Sequence, residues 1–295
     1  MKSGRRADMH RGPVLLVVLL LTSVAAADAT AVHTLCDKPA TDQVESETLS
    51  LLSLNISHGR AMALNQLLVS KQKVRRNVGL IANVLARVNA DVVALQEADG
   101  VSRWSGGFDH VAAIADQAGY GCMVHGLHSR GFLSDYGTAL LTNARQHAAR
   151  SVPFSPTPPS KQKGFVAAQV HWQGVSITVV SVHMDFLRRS NRRDQIERMI
   201  EELAGIDGEL VVLGDLNSEW QARDSQVRRL ADELGLHAYR PDSDALGTYK
   251  KPGGKRLDWI LLSSGLEFTD YQVLPDIVAD HFAVHAIVRP TSAKE

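Results

Sequence analysis

Phe165-Val166-Ala167-Ala168-Gln169-Val170-His171-Trp172-Gln173-Gly174-Val175-Ser176-Ile177-Thr178-Val179-Val180-Ser181-Val182-His183 is two apolar runs joined by Gln-Gly. Both runs are rich in β-branched residues, and the two-residue connection is a hairpin signal. An antiparallel pair at the centre of the chain makes a purely parallel sheet a poor fit. The second run ends on a histidine, His183. Outward from it, a helix over Asn191–Leu203 places Ile196, Met199, Ile200 and Leu203 on one face. The next apolar run, Leu210-Val211-Val212-Leu213, ends on Gly214-Asp215-Leu216-Asn217. Residues two apart at a strand end share a face, so Asp215 and Asn217 can hold a water and a phosphoryl oxygen side by side.

The same arrangement recurs along the chain. Leu51-Leu52-Ser53-Leu54-Asn55 ends on an amide, and Val92-Val93-Ala94-Leu95-Gln96-Glu97 on a carboxylate. Arg256-Leu257-Asp258-Trp259-Ile260 carries Asp258 at the start of a strand over Leu257–Leu262, and Asp280-His281 opens a last strand, Phe282–Val288. Each of these words is common alone. Five apolar strands whose ends or flanking loops each present a group able to bind phosphate or metal point to one shared site. A helix through Val74, Val78, Ile81, Leu85 and Val88 leads into the Glu97 strand, and further helices are expected over Phe108–Ala118 and Gln221–Leu234. Gly137–Thr142 reads as another strand. The alternation of helices and strands fits either a pair of mixed sheets between helices or a doubly wound single sheet.

Taken as an ordered set, these words resemble the endonuclease/exonuclease/phosphatase superfamily, from about Leu49 to Val288. The resemblance implies an α/β four-layer sandwich of two mixed β-sheets flanked by helices, with the site at one edge of the sheets. It implies metal-dependent cleavage of a phosphate ester by direct water attack, with no covalent intermediate. Glu97 is then the metal carboxylate, supported by Asn55 and Asp280, and hard oxygen ligands suit Mg²⁺ or Mn²⁺. His281 is the general base or charge stabiliser, oriented by Asp258. Asp215 is the other candidate base, Asn217 binds a non-bridging oxygen, and His183 binds the phosphoryl group or helps the leaving oxygen. Many nucleases of the superfamily have an acidic residue two positions after the Asn, where this chain has Ser57, so a single ion is expected. Arg192 and Gln195 are read as structural, as are His58, His125 and His128, and Lys163 is placed on a rim loop near the entrance.

The chain has 295 residues with equal numbers of basic and acidic side chains. Lys2, Arg5, Arg6 and Arg11 precede an apolar run from Val14 to Leu21 and the small residues Ala25-Ala26-Ala27, the pattern of a secretory signal over 1–27. An uncleaved anchor is the alternative. A polar arm is expected over 28–47 and one catalytic domain over 48–290. Removing 1–27 leaves 28 basic and 31 acidic residues, a balance with no general attraction to a polyanion. A secreted or periplasmic enzyme acting on small or lipid-headgroup phosphodiesters is therefore expected, with nucleic acid as the alternative substrate. No stable protein partner is implied and a monomer is expected. Cys36 and Cys122 can pair in an oxidising compartment, but Cys122 lies in the apolar stretch Gly121-Cys122-Met123-Val124 and reads as a buried thiol.

Overall fold

The computed structural model describes residues 32–37, 39–250 and 254–291. The segment read as a secretory signal lies outside the described residues. Among those described, no helix is long and apolar enough to cross a membrane.

Two mixed sheets stack face to face. The first comprises β1 (Val32–Cys36), β2 (Leu49–Asn55), β3 (Val92–Asp99), β4 (Cys122–Ser129), β5 (Tyr136–Thr142), β12 (Leu266–Val273) and β13 (Val284–Pro290), in the order β1-β4-β5-β3-β2-β13-β12. The second comprises β6 (His147–Pro153), β7 (Gly164–Trp172), β8 (Val175–His183), β9 (Glu209–Asp215), β10 (Leu236–Ala238) and β11 (Asp258–Ser263), in the order β10-β11-β9-β8-β7-β6. Helices α1 (Lys71–Val88) and α2 (His110–Ala118) cover the first sheet, and α3 (Arg189–Leu203) and α4 (Gln226–Leu234) cover the second.

Central strands buried on both faces are mostly apolar, which is why they read as near-continuous runs, and the buried Ser53, Gln96 and Ser181 within them bond one another. Leu51, Val92, Val179, Val211 and Ile260 fill the layer between the sheets. Leu52, Leu54, Val93 and Leu95 pack instead against Val74, Val78, Ile81 and Leu85 of α1. Val180, Val182 and Val212 pack against Ile196, Met199 and Leu230 of α3 and α4. The expected four-layer sandwich is the observed one, and the single doubly wound sheet is not formed.

Three details differ from expectation. The helix expected from Gln221 begins at Gln226, because the Ser225 side chain accepts the Arg228 N–H and caps it there. Within the expected arm, Val32–Cys36 is an edge strand antiparallel to β4. That pairing sets Cys36 directly opposite Cys122, and the two form a disulfide rather than leaving Cys122 a buried thiol. Their proximity depends on a strand register that neither cysteine's local sequence encodes.

Candidate active site

The parallel pairing of β8 with β9 puts His183 opposite Asp215, and the antiparallel pairing of β9 with β11 puts Asp215 opposite Asp258. Three site residues thus lie in one row across the second sheet. In the first sheet, parallel β2 and β3 bring Asn55 beside Gln96. Glu97 follows at φ 49°, where the β3–β5 ladder shifts register. A left-handed residue at such a bulge turns its side chain out of the alternation. The two sheets meet where Asn55 Nδ2 donates to Asp215 Oδ2 at 3.0 Å.

Asp258 and His281 form a buried pair, Oδ2 to Nδ1 at 2.8 Å, and Asp258 Oδ2 also accepts the Thr248 hydroxyl at 2.6 Å. His281 Nε2 faces Asp215 Oδ2 at 3.8 Å. Burial alone would lower the His281 pKa, but Asp258 and Asp215 override it and push it up to about 10. Burial raises the Asp215 pKa to about 7 against the pull of His281. Two neighbouring groups are thereby driven apart, one kept cationic and one poised to exchange a proton near neutrality.

His183 Nε2 lies 3.5 Å from Asp215 Oδ2 and 4.0 Å from Glu97 Oε1. Behind it stands a pair that the sequence reading did not place in the site. Lys163 is buried at the mouth of β7, donates to the Tyr136 hydroxyl, and sits 3.2 Å from His183 Nε2. Tyr136 in turn lies 2.8 Å from His183 Nδ1. Burial, with Lys163 alongside, holds the His183 pKa well below the usual imidazole range, so the ring is neutral. Burial likewise keeps the Tyr136 hydroxyl protonated. Tyr136 thus stands at the Nδ1 edge of the ring, while Nε2 turns toward Asp215 and Glu97. Lys163 is therefore an interior residue, not one on an entrance loop.

Glu97 is ionised: burial opposes its charge, but His58, Lys163 and Arg60 outweigh that and lower its pKa. His58 Nε2 is 3.2 Å from Glu97 Oε2, and its Nδ1 is 2.8 Å from Asp99 Oδ1. His58 is a satisfied buried histidine, as expected, yet it also steers the carboxylate. His125 and His128 bond to the Ala98 carbonyl and the Thr138 hydroxyl, away from this cluster. Arg60 spans the acidic groups, 2.7 Å from Asp280 Oδ2 and 4.0 Å from Glu97 Oε2. Ser57, in the place of the expected second carboxylate, donates its hydroxyl to Asp280.

Asn217 lines the cleft with its Nδ2 donating to the Met184 carbonyl and its backbone N–H to Asp215 Oδ1, both at 3.0 Å. Arg192 and Gln195 secure the turn after His183 through the Asp185 carbonyl and N–H, each at 2.8 Å. The cleft itself has a volume of about 540 Å³, and cationic Arg60, Arg189, Arg192 and Lys255 line it alongside the carboxylates.

Asp215, Asp258 and His281 each bring a ligand atom within 4.8 Å of the others, and Asp258 Oδ1 is buried without a hydrogen bond. Carboxylate oxygens and an imidazole so placed fit a divalent cation. Glu97 approaches the same space from the other sheet. The cluster supports metal-dependent chemistry on a phosphoester.

No curated protein matches the chain. Solved structures with the same fold include an endonuclease/exonuclease/phosphatase of Beutenbergia cavernae, 18% identical, covering 84% of this chain and 73% of that one with a TM-score of 0.67. A mannosyl-6-phosphatase of Bacteroides thetaiotaomicron is 15% identical over 81% of this chain and 99% of its own, TM-score 0.62. TDP2 of D. rerio, solved with a single strand DNA product, is 15% identical over 83% of this chain and 100% of its own, TM-score 0.61. At these identities the likeness concerns the fold. A family model, however, matches residues 52–281, spanning every site residue above. With its fold and ordered site, the chain belongs to the endonuclease/exonuclease/phosphatase family.

Proposed function

We propose that the protein is an exported, Mg²⁺-dependent nuclease that cleaves phosphodiesters by direct attack of water. The observation that carries the nucleic-acid reading is the lining of the cleft. In a chain with no net charge, Arg60, Arg189, Arg192 and Lys255 line the cleft, Arg60 paired with Asp280, Arg189 with Asp224 and Lys255 with Glu219. Composition argued against a polyanionic substrate, but phosphate binding depends on where the cations sit. TDP2, of the same fold, holds a DNA product. Export rests on the sequence of residues 1–27 and agrees with the Cys36–Cys122 disulfide.

Glu97 is the principal metal ligand in this reading, with Asn55 Oδ1 and Asp280 as its neighbours. His281, whose Nδ1 bonds Asp258 and whose Nε2 faces Asp215, is assigned in this reading to stabilising charge. A divalent ion held there would supply Lewis-acid polarisation of a phosphoryl oxygen. Asp215, ionised above about pH 7, takes the proton of the attacking water. His281, kept cationic by Asp258, faces the negative charge that develops on the phosphoryl oxygens. Neutral His183 faces the phosphoryl group from the end of β8, and buried Lys163 stands behind it. Asn55 holds Asp215 in place across the two sheets.

A lipid-headgroup diester is the second reading, favoured by leucine and phenylalanine side chains exposed on loops at this same edge. The substrates separate the two readings. kcat/KM on a single-stranded oligonucleotide and on a plasmid is compared with that on phospholipid micelles, at equal Mg²⁺ and ionic strength. The nuclease reading expects faster nucleic-acid cleavage, falling steeply with salt and lost in His281→Ala. Faster hydrolysis of the micellar lipid overturns it.

A further inference from the structure

Three loops leave the catalytic edge of the first sheet: 56–70 after β2, 100–109 after β3, and 130–135 between β4 and β5. They are laced together. Trp104 N–H donates to the Leu133 carbonyl at 3.1 Å, and the Ser102 hydroxyl to the Asp135 carbonyl at 2.6 Å. The short turn Gln66–Leu68 packs on Arg103–Ser105. This platform adjoins the site, since the Trp104 ring lies 4.8 Å from His58, the residue touching Glu97.

Its outer surface is apolar. Leu64, Leu67, Leu68, Val101, Phe132 and Leu133 are between 61% and 97% exposed. A single exposed leucine needs no explanation, but six large apolar side chains on three adjoining loops do. Interleaved with them are Arg103, stacked 4.4 Å over Phe132, Lys161, 4.6 Å over Trp104, and exposed Arg130, Lys71 and Lys73. The three loops contain two acidic residues, Asp109 and Asp135, and both accept backbone N–H groups.

We propose that this platform docks on an anionic lipid bilayer. The aliphatic side chains enter the headgroup and acyl boundary while the lysines and arginines meet lipid phosphates. Leucines offer no π face on which a base can stack, so most of the exposed area gains nothing from nucleic acid. Docking would set the catalytic cleft beside the membrane surface whichever diester the enzyme cleaves, and so stands apart from the substrate assignment.

The test uses the full chain with Leu67→Cys labelled by an environment-sensitive dye, the native cysteines being held in a disulfide. A second probe at Asp207→Cys, exposed ahead of β9 at the end opposite Asp215, is the control. With phosphatidylglycerol-containing vesicles, the dye at 67 is expected to blue-shift and become shielded from aqueous iodide, and the dye at 207 to remain accessible. Phosphatidylcholine vesicles should produce a much weaker change, and salt should reverse the anionic-vesicle binding. Combined Leu64→Ser, Leu68→Ser and Phe132→Ser should weaken shielding at 67 by about tenfold or more, with turnover of bis-p-nitrophenyl phosphate unchanged. Equal behaviour of both probes, or no change at 67, overturns the proposal. So does shielding of 67 by a single-stranded oligonucleotide but not by vesicles, which would make the platform a nucleic-acid surface.

Discussion

Asp258 Oδ2 holds His281 Nδ1 at 2.8 Å, and the role proposed for the carboxylate runs through that ring. Residues that share one role lose it together. His281→Ala and Asp258→Ala are each expected to lower kcat/KM by about 10²-fold or more, and the double variant by little more than the worse single one. Multiplicative losses would show separate roles. The pH profile reports the neighbouring pair. Asp215 must be ionised to accept a proton, so kcat/KM should rise through about pH 7 to a plateau. It should fall again as His281 loses its proton near pH 10. Because the folded-state pKa of His281 is raised, its stabilising charge is fully present below its ordinary value and is lost as pH climbs through about 10. A profile flat from pH 5 to 9 would contradict the assignment of Asp215. The Asp215, Asp258 and His281 triad was readable because each residue ends or opens an apolar strand. Tyr136 and Lys163 were not, since a Tyr or Lys earns its place only through a partner brought by another strand. One signal for Lys163 did exist: counting back from the Gln173-Gly174 turn sets Gly164 opposite His183, and Lys163 next to it.

At the scale of the strand, the close approach of β8 and β9 depends on Gly214. Its φ is 147°, and a Cβ there would meet the Val182 carbonyl oxygen at 2.0 Å. That contact is with backbone, so it cannot be relieved by a rotamer change. Gly214→Ala should cost at least about 2 kcal/mol, read as a lower urea midpoint. It should also depress kcat by displacing Asp215; unchanged stability and turnover would show that the strands can part freely. The elements that sequence reading found are the central strands and the helices, whose apolar period is set by burial. β4 escaped it, because His125, Gly126 and His128 break its apolar run, and the other strands missed lie at the sheet edges. β6 and β12 are each buried at only two positions, and β10 has three residues. Edge strands bury one face or less, so they carry polar and small residues and lack the apolar run. β1 was likewise hidden in a polar segment, because its partner β4 and the disulfide, not its own composition, hold it.

The whole molecule divides its two ends between stability and chemistry. Cys36 and Cys122 pair at the end of β4 remote from Ser129, which faces Tyr136. The bridge spans 86 residues of sequence, a loop for which chain entropy gives up to about 4.5 kcal/mol. Reduction, or Cys36→Ser, should lower Tm by about 5–15 °C while turnover at 25 °C is preserved; an unchanged Tm would mean that β1 detaches without consequence. The other end gathers residues from both sheets around one cleft, where the chemistry proposed is phosphodiester cleavage with a divalent ion held by Glu97. The most direct measurement is hydrolysis of bis-p-nitrophenyl phosphate by the wild type and by Glu97→Gln, after EDTA treatment and across a Mg²⁺ titration. EDTA is expected to abolish wild-type turnover and Mg²⁺ to restore it, while Glu97→Gln should lose about 10²-fold or more at any Mg²⁺ concentration. Wild-type turnover that survives EDTA, or a Glu97→Gln enzyme as fast as its parent at low Mg²⁺, would contradict the proposed chemistry.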